Sequence, residues 1–189
     1  MPNAGGMLRY GIPEYRLPKA VLDEEIATIE SMGVEIITNT KVGADIPFET
    51  IRSDYDAVLL GIGAWVSTGV GCKGEDAEGV IGGIDFLRRV VRNEEIGMGK
   101  KVAIVGGGNT AMDACRTAVR LGAEEVYNIY RRTKDEMPAD MVEIEEAEEE
   151  GVIFKNLTNP IEVIKDENGH VKQVVLQVME PVSYTHLRA

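Results

Sequence analysis

The sequence predicts an α/β fold built on parallel sheets. Strand-like and helix-like periodicities alternate along most of the chain, and a run of glycines stands between one such strand and the helix after it. The composition, 44% hydrophobic and 28% charged, is that of a globular domain, not of a disordered or fibrous chain. With 189 residues there is room for one good core or two small domains.

In chain order, "LPKAVLDEEIATIESM" (17–32) sets Leu22, Ile26 and Ile29 at helical spacing, with Pro18 near the start and Gly33 as the stop. "VEIITNT" (34–40) then reads as a short strand, and "YDAVLLGIGA" (55–64) as a buried strand running into a glycine turn. "IDFLRRVVRN" (84–93) aligns Ile84, Leu87 and Val91 on a second helix, and the linker "EEIGMGK" places a domain boundary near Gly97. Beyond it, "KKVAIV" (100–105) is a buried strand, "GGGNTAMDACRTAVRLGA" (106–123) a glycine turn and helix, and "EEVYNIYRR" (124–132) a second strand. Together they make a βαβ unit of about 30 residues, the size of a Rossmann mononucleotide-binding half. A further helix opens at "MPAD", with Pro138 in its first turn and Met141 and Ile144 facing inward. Residues 159–179 alternate around Asn168-Gly169 and read as a β-hairpin.

The net charge of −12 argues against nucleic-acid binding, which needs an excess of Lys and Arg on one face. Much of the acid lies in "EIEEAEEEG" (143–151), read as the solvated side of a helix. No apolar run reaches the membrane-spanning length of about 18 residues, and no export signal follows Met1. Cys72 and Cys115 are far apart and lack metal-ligand or dithiol spacing, which fits a reducing, cytoplasmic setting. Cys115 shares a helix face with alanines and reads as a buried thiol; Cys72, before a lysine in a glycine loop, is either structural or mildly acidified. No side chain stands out as a general acid or base, and His170 falls in the hairpin turn.

"GGGNTA" (106–111) fits G-x-G-x-x-A between a strand and a helix, the context that gives this short motif its meaning. Gly106 permits the tight turn, Gly108 lets backbone amides approach a pyrophosphate, and Ala111 still allows helix to pack on strand. The helix N-terminus adds unpaired N–H groups and positive dipole. At the end of the second strand, where an NAD site places an acid roughly 20 residues past the turn, this chain has Arg131 and Arg132. Arginine forks suit a 2′-phosphate, so the expected dinucleotide is NADPH. The plainer reading is a surface pair bridging to Glu124 or Asp135.

"GGMLRYGIPEYRLPK" (5–19), "GIGAWVSTGVGCKGEDAEGV" (61–80), "VAIVGGGNTAMDACRTAVRLGAEEVYNIYRR" (102–132) and "EMPAD" (136–140) together resemble the small subunit of bacterial glutamate synthase and its wider flavoprotein group. The resemblance runs over residues 3–180. It implies an FAD domain in two parts around an inserted NADPH domain, with hydride passing from nicotinamide to flavin. Electrons then leave to iron–sulfur centres or a partner, the glutamate synthase large subunit or another iron–sulfur or ferredoxin acceptor. Carried onto this chain, Gly5, Gly6, Leu8, Gly11, Ile12 and Pro13 would line the flavin, and Val42, Gly61, Gly63 and Ala64 would touch the FAD adenosine and pyrophosphate. Gly107, Gly108, Asn109, Thr110, Arg131 and Arg132 would hold NADPH. Independently of the family, Pro13 and Pro18 stiffen "GIPEYRLP" into a rigid apolar wall.

The chain lacks the family's FAD glycine fingerprint, its carboxyl-terminal G-D segment and its amino-terminal cysteine clusters. It is therefore expected to hold part of an FAD domain (1–97) and part of an NADPH domain (98–180), and to bind FAD poorly alone. "PVSYTHLRA" (181–189) breaks the family pattern and reads as a foreign tail. The alternatives are an NADPH-binding module without catalysis and a truncated frame without function.

Overall fold

The computed structural model describes residues 1–180, so the expected foreign tail lies outside the described residues. The chain divides into two compact units, Met1–Val66 and a second that begins at Ser67. No described helix is long and apolar enough to cross a membrane.

The first unit contains three helices, α1 (Gly6–Tyr10), α2 (Lys19–Ser31) and α3 (Phe48–Asp54). Gly5 caps α1 at φ +115°, and a Cβ there would sit 2.8 Å from Leu22 Cδ2, so α1 and α2 meet at a position only glycine fits. On α2 the buried stripe is narrower than its spacing predicts: Leu22 is buried, whereas Ile29 is 45% exposed. Residues 34–40 and 55–64 are not strands. They run without ladder partners, and Leu59 and Ile62 are 95% and 81% exposed. The cause is simple. Apolar β-branched runs can mark a buried strand, but only neighbouring strands make one, and none pairs with them among the described residues.

In the second unit, β1 (Lys101–Val105), α5 (Asn109–Arg120), β2 (Glu125–Ile129), α6 (Met141–Glu149) and β3 (Ile153–Lys155) form a parallel three-stranded sheet with helices, in the order β1-β2-β3. Register runs Lys101↔Glu125 to Val105↔Ile129, then Tyr127↔Ile153. β1 lies at the sheet edge and alternates between exposed and half-buried, so it is not the buried strand its sequence predicts. α4 (Gly83–Val91) contributes Phe86 and Leu87 to a core that also holds Met112, Cys115, Ala118, Val126, Ile144 and Ala147.

α6 starts three residues later than expected, leaving Pro138 ahead of it and Met141 half exposed, while Ile144 is buried as predicted. The acidic run also departs from its expected role. Glu143, Glu146 and Glu150 pair with Arg116 on α5, whose side chain is only 6% exposed; Glu143 lies at 2.9 Å and Glu150 at 2.8 Å. Arg120 adds a second bond to Glu150 at 2.7 Å. This network lashes α6 to α5.

The expected hairpin is present as β4 (Thr158–Lys165) and β5 (Val171–Val178), with Gly169 at φ +88° and Asp166 accepting the N–H groups of Asn168 and His170. It is held by the strap 72–80: Val163 N–H donates to Lys73 O (2.8 Å), Val171 N–H to Glu78 O (2.9 Å), and Glu78 N–H to Gly169 O (3.0 Å). A side chain at Gly74 would collide with the Val163 carbonyl.

Candidate functional site

β1 ends at the glycine turn and α5 begins within it, so the sheet delivers Gly106, Gly107 and Gly108 to the end where the unpaired amides of a helix N-terminus collect. Each glycine has a different steric reason. Gly106, at φ +144°, would bring a Cβ to 3.3 Å from Ala111 Cβ, which fits close packing of helix on strand. Gly107 faces the ring of Tyr130, and a Cβ would lie 2.5 Å from Tyr130 Cε2. Gly108 is open, since its nearest neighbour would be Pro138 Cγ at 3.9 Å.

The three glycine carbonyls are all anchored. Gly106 O accepts from Asn128 Nδ2 (2.9 Å), Gly107 O from Ala139 N–H (3.0 Å), and Gly108 O from the N–H groups of Ala111 (2.8 Å) and Met112 (3.2 Å). Among the described residues, the N–H groups of Gly107, Gly108, Asn109 and Thr110 donate to no carbonyl. That is the arrangement an anion needs at a helix N-terminus. The residues present therefore fit the pyrophosphate of a dinucleotide.

Segment 130–140 folds back over this turn. Tyr130 donates its hydroxyl to Glu136 O (2.9 Å), and Thr133 donates both its N–H (3.1 Å) and its hydroxyl (2.9 Å) to the Glu136 carboxylate across a short 3₁₀ turn, Lys134–Glu136. Those two bonds hold the Glu136 carboxyl below the usual carboxylate range, with a smaller contribution from the Arg132 charge. The bend carrying Arg131 and Arg132 is fixed by Leu157 N–H on Arg132 O (3.0 Å) and Thr158 N–H on Tyr130 O (3.0 Å). Both arginines are exposed, and neither forms an ion pair with Glu124 or Asp135 among the described residues. Glu124 is engaged by Lys100 instead (2.6 Å). The plainer reading of the arginines as a structural pair thus loses its partner.

The side chain of Asn109 is turned toward Asp140, while its backbone N–H stays among the unspent amides. Its amide donates to Asp140 Oδ2 (3.0 Å) and its Oδ1 accepts Asp140 N–H (2.9 Å), so the side chain is spent on clasping the start of α5 to the start of α6. Thr110 is exposed at the first turn of α5. Asn128, Tyr130 and Asp140 shape the turn, yet the sequence reading assigned none of them to it. For Asn128 a signal existed: a lone amide inside the apolar strand "VYNI" is out of pattern.

The residues expected to face FAD lie in the first unit. Gly5, Gly6, Leu8, Gly11, Ile12 and Pro13 form one folded stretch closed by Lys19, whose ammonium donates to Leu8 O (3.0 Å), Ile12 O (2.7 Å) and Leu17 O (3.0 Å). Removal from water lowers the Lys19 pKa. Trp65, just beyond Gly61, Gly63 and Ala64, meets Tyr10 edge to face at 6.4 Å, so the end of segment 61–64 is brought to this stretch. Val42 is bridged to Ile46 within its own loop. Tyr10 and Trp65 supply an apolar wall, but the described residues of this unit hold no strand–turn–helix cradle for a flavin pyrophosphate.

The profile of the pyridine nucleotide-disulphide oxidoreductases matches residues 2–185. The chain belongs to that family. NADPH and FAD, the cofactors expected from the sequence, are those of this family. A curated relative from Geobacter sulfurreducens, the NADPH-Fe(3+) oxidoreductase subunit beta, is 49% identical over 90% of this chain and 26% of its own length. The NADP(+)-dependent formate dehydrogenase subunit beta of Moorella thermoacetica is 47% identical, over 91% of this chain and 25% of its own. The glutamate synthase [NADPH] small chain of Escherichia coli is 39% identical over 100% of this chain and 43% of its own. The chain thus spans a quarter to under half of these relatives. Among solved structures, FprA from Mycobacterium tuberculosis in complex with NADPH superimposes with a TM-score of 0.79 at 17% identity, covering 100% of this chain and 57% of that one. That likeness shows the Rossmann-like α/β fold.

Proposed function

We propose that this chain carries the NADPH-binding part, and one wall of the flavin site, of a flavoprotein that takes hydride from NADPH onto FAD and passes the electrons on. Bound NADPH supplies the hydride; the residues of the chain supply position and charge. The observation that supports the reading best is the glycine turn, with its three carbonyls anchored and four amides unspent, beside two arginines held at the end of the next strand. The unspent amides receive the pyrophosphate, and the arginines the 2′-phosphate.

The acceptor is an iron–sulfur centre or a partner subunit, with the glutamate synthase large subunit one candidate among those that the relatives' names suggest. The exposed apolar segments 34–40 and 55–64 support a second statement. They resemble sheet strands awaiting neighbours, so the chain by itself binds NADPH and holds FAD weakly.

Titration of the chain with NADPH and NADH tests the proposal. Changing Arg131 and Arg132 to alanine should weaken NADPH binding by about 1.5–3 kcal/mol per lost charge-assisted bond and leave NADH almost unchanged. Equal weakening of both would remove the 2′-phosphate assignment.

A further inference from the structure

Asn128 is wholly buried in the central strand of the sheet, directly beneath the glycine turn. Its amide nitrogen faces two acceptors, Gly106 O at 2.9 Å and Cys115 Sγ at 3.8 Å, and its Oδ1 is buried without any hydrogen-bond partner. For the strand alone this is a poor residue. A branched apolar side chain would fill the place without leaving a carbonyl oxygen unpaired in the core.

The bond that Asn128 makes has a directional consequence. All peptide bonds here are trans, so the carbonyl and N–H of one peptide unit point in opposite directions. When Asn128 draws Gly106 O down into the core, the N–H of Gly107 points the opposite way, although Gly107 itself is buried against the Tyr130 ring. Ala139 N–H on Gly107 O and the amides of Ala111 and Met112 on Gly108 O act in the same way on the next two units, turning out the N–H groups of Gly108 and Asn109. Without Asn128 the first peptide loses the hydrogen bond on its carbonyl, whereas the next two keep Ala139 and the amides of α5, and a glycine on either side leaves its plane free to turn.

We propose that Asn128 is a positioning residue for dinucleotide binding: through the Gly106 carbonyl it aims the Gly107 amide at the pyrophosphate. The inference rests on the reading of the turn as an NADPH site. It assigns a role to a buried side chain that never touches the ligand, and it accounts for an orphaned oxygen in the core.

The test is Asn128→Leu in the full chain, with Asn128→Val as a smaller variant should Leu overfill the site. NADPH and NADH binding are measured by titration, stability by thermal unfolding, and the Gly107 amide by its nitrogen–proton resonance. Both cofactors should weaken by the same factor, about five- to tenfold, as expected for one misaimed amide among several. The melting temperature should stay level or rise, because the orphaned oxygen is gone, and the Gly107 resonance should move before any cofactor is added. Arg131→Ala, by contrast, should weaken NADPH alone.

Unchanged affinity in both variants overturns the proposal. So does a loss of affinity that comes with a matching fall in melting temperature, since Asn128 would then only hold the fold. If the unaltered chain binds neither cofactor while remaining folded, the dinucleotide reading itself fails and the role of Asn128 falls with it.

Discussion

Gly107→Ala is a small change with a large expected effect. The backbone there lies outside the left-handed region, so alanine meets no conformational objection. The obstacle is steric. The new methyl would stand 2.5, 2.8 and 2.9 Å from three atoms of the Tyr130 ring. Carbon atoms rest at about 3.5–4.0 Å, so the ring must retreat by about 1 Å. Its hydroxyl is tied to Glu136 O at 2.9 Å, and that bond is lost as the ring moves. Overpacking of this kind costs about 1–3 kcal/mol, and the bond about 1 kcal/mol more, giving about 2–4 kcal/mol in all.

Urea unfolding of four proteins measures this: unaltered, G107A, Y130A and G107A/Y130A. With the ring removed the methyl has space, so the double variant should match Y130A to within about 0.5 kcal/mol. If G107A is as stable as the unaltered chain, or costs as much with Tyr130 absent as with it present, the account of the turn's shape is wrong.

Other expectations are simpler. Arg116→Ala should cost about 3 kcal/mol in unfolding experiments, because it removes the cation that three carboxylates share, although Glu150 keeps Arg120 and the more exposed Glu146 can rehydrate. Arg120, and after it Arg116, hold the Glu150 carboxyl below its ordinary 4.5 despite partial burial. A carboxylate depressed by folding contributes stability that is complete above its unfolded pKa and is lost as pH falls through the folded value. Glu150→Gln should therefore flatten the acid limb of a plot of stability against pH and leave its shape at neutral pH unchanged. The Cys115 thiol, pushed up by burial to about 12, should resist iodoacetamide at mildly alkaline pH until the protein is unfolded.

The glycine turn, α5 and the strand carrying the arginines were legible because their signals are local: a fingerprint, a helical period and an alternating run adjoin one another in "VAIVGGGNTAMDACRTAVRLGAEEVYNIYRR". Cys115 and the hairpin turn at Asn168-Gly169 were legible for the same reason. What depended on distant partners was not. Residues 55–64 have every local mark of a strand and lack only neighbours to pair with. Glu143, Glu146 and Glu150 looked solvated because nothing near them in sequence reveals Arg116, 27 to 34 positions away. The tie from the Asn109 side chain to Asp140, just ahead of α6, spans 31 positions and leaves no local trace in the sequence.

The strap that holds the hairpin also bears on how this unit comes together in time. The strap and hairpin meet through Lys73–Glu162 and Lys165–Asp76, pairs separated by 89 residues. Closing a loop of that length costs about 4 kcal/mol in chain entropy, against about 3 kcal/mol for the 24-residue span that joins β1 to β2. The gap grows once α5 has formed and shortened the second span. The βαβ unit with its glycine turn is thus expected to assemble first, on local contacts. The hairpin is expected to dock last, and during synthesis the strap waits with its Lys73 and Glu78 carbonyls in water until about 90 further residues have been made.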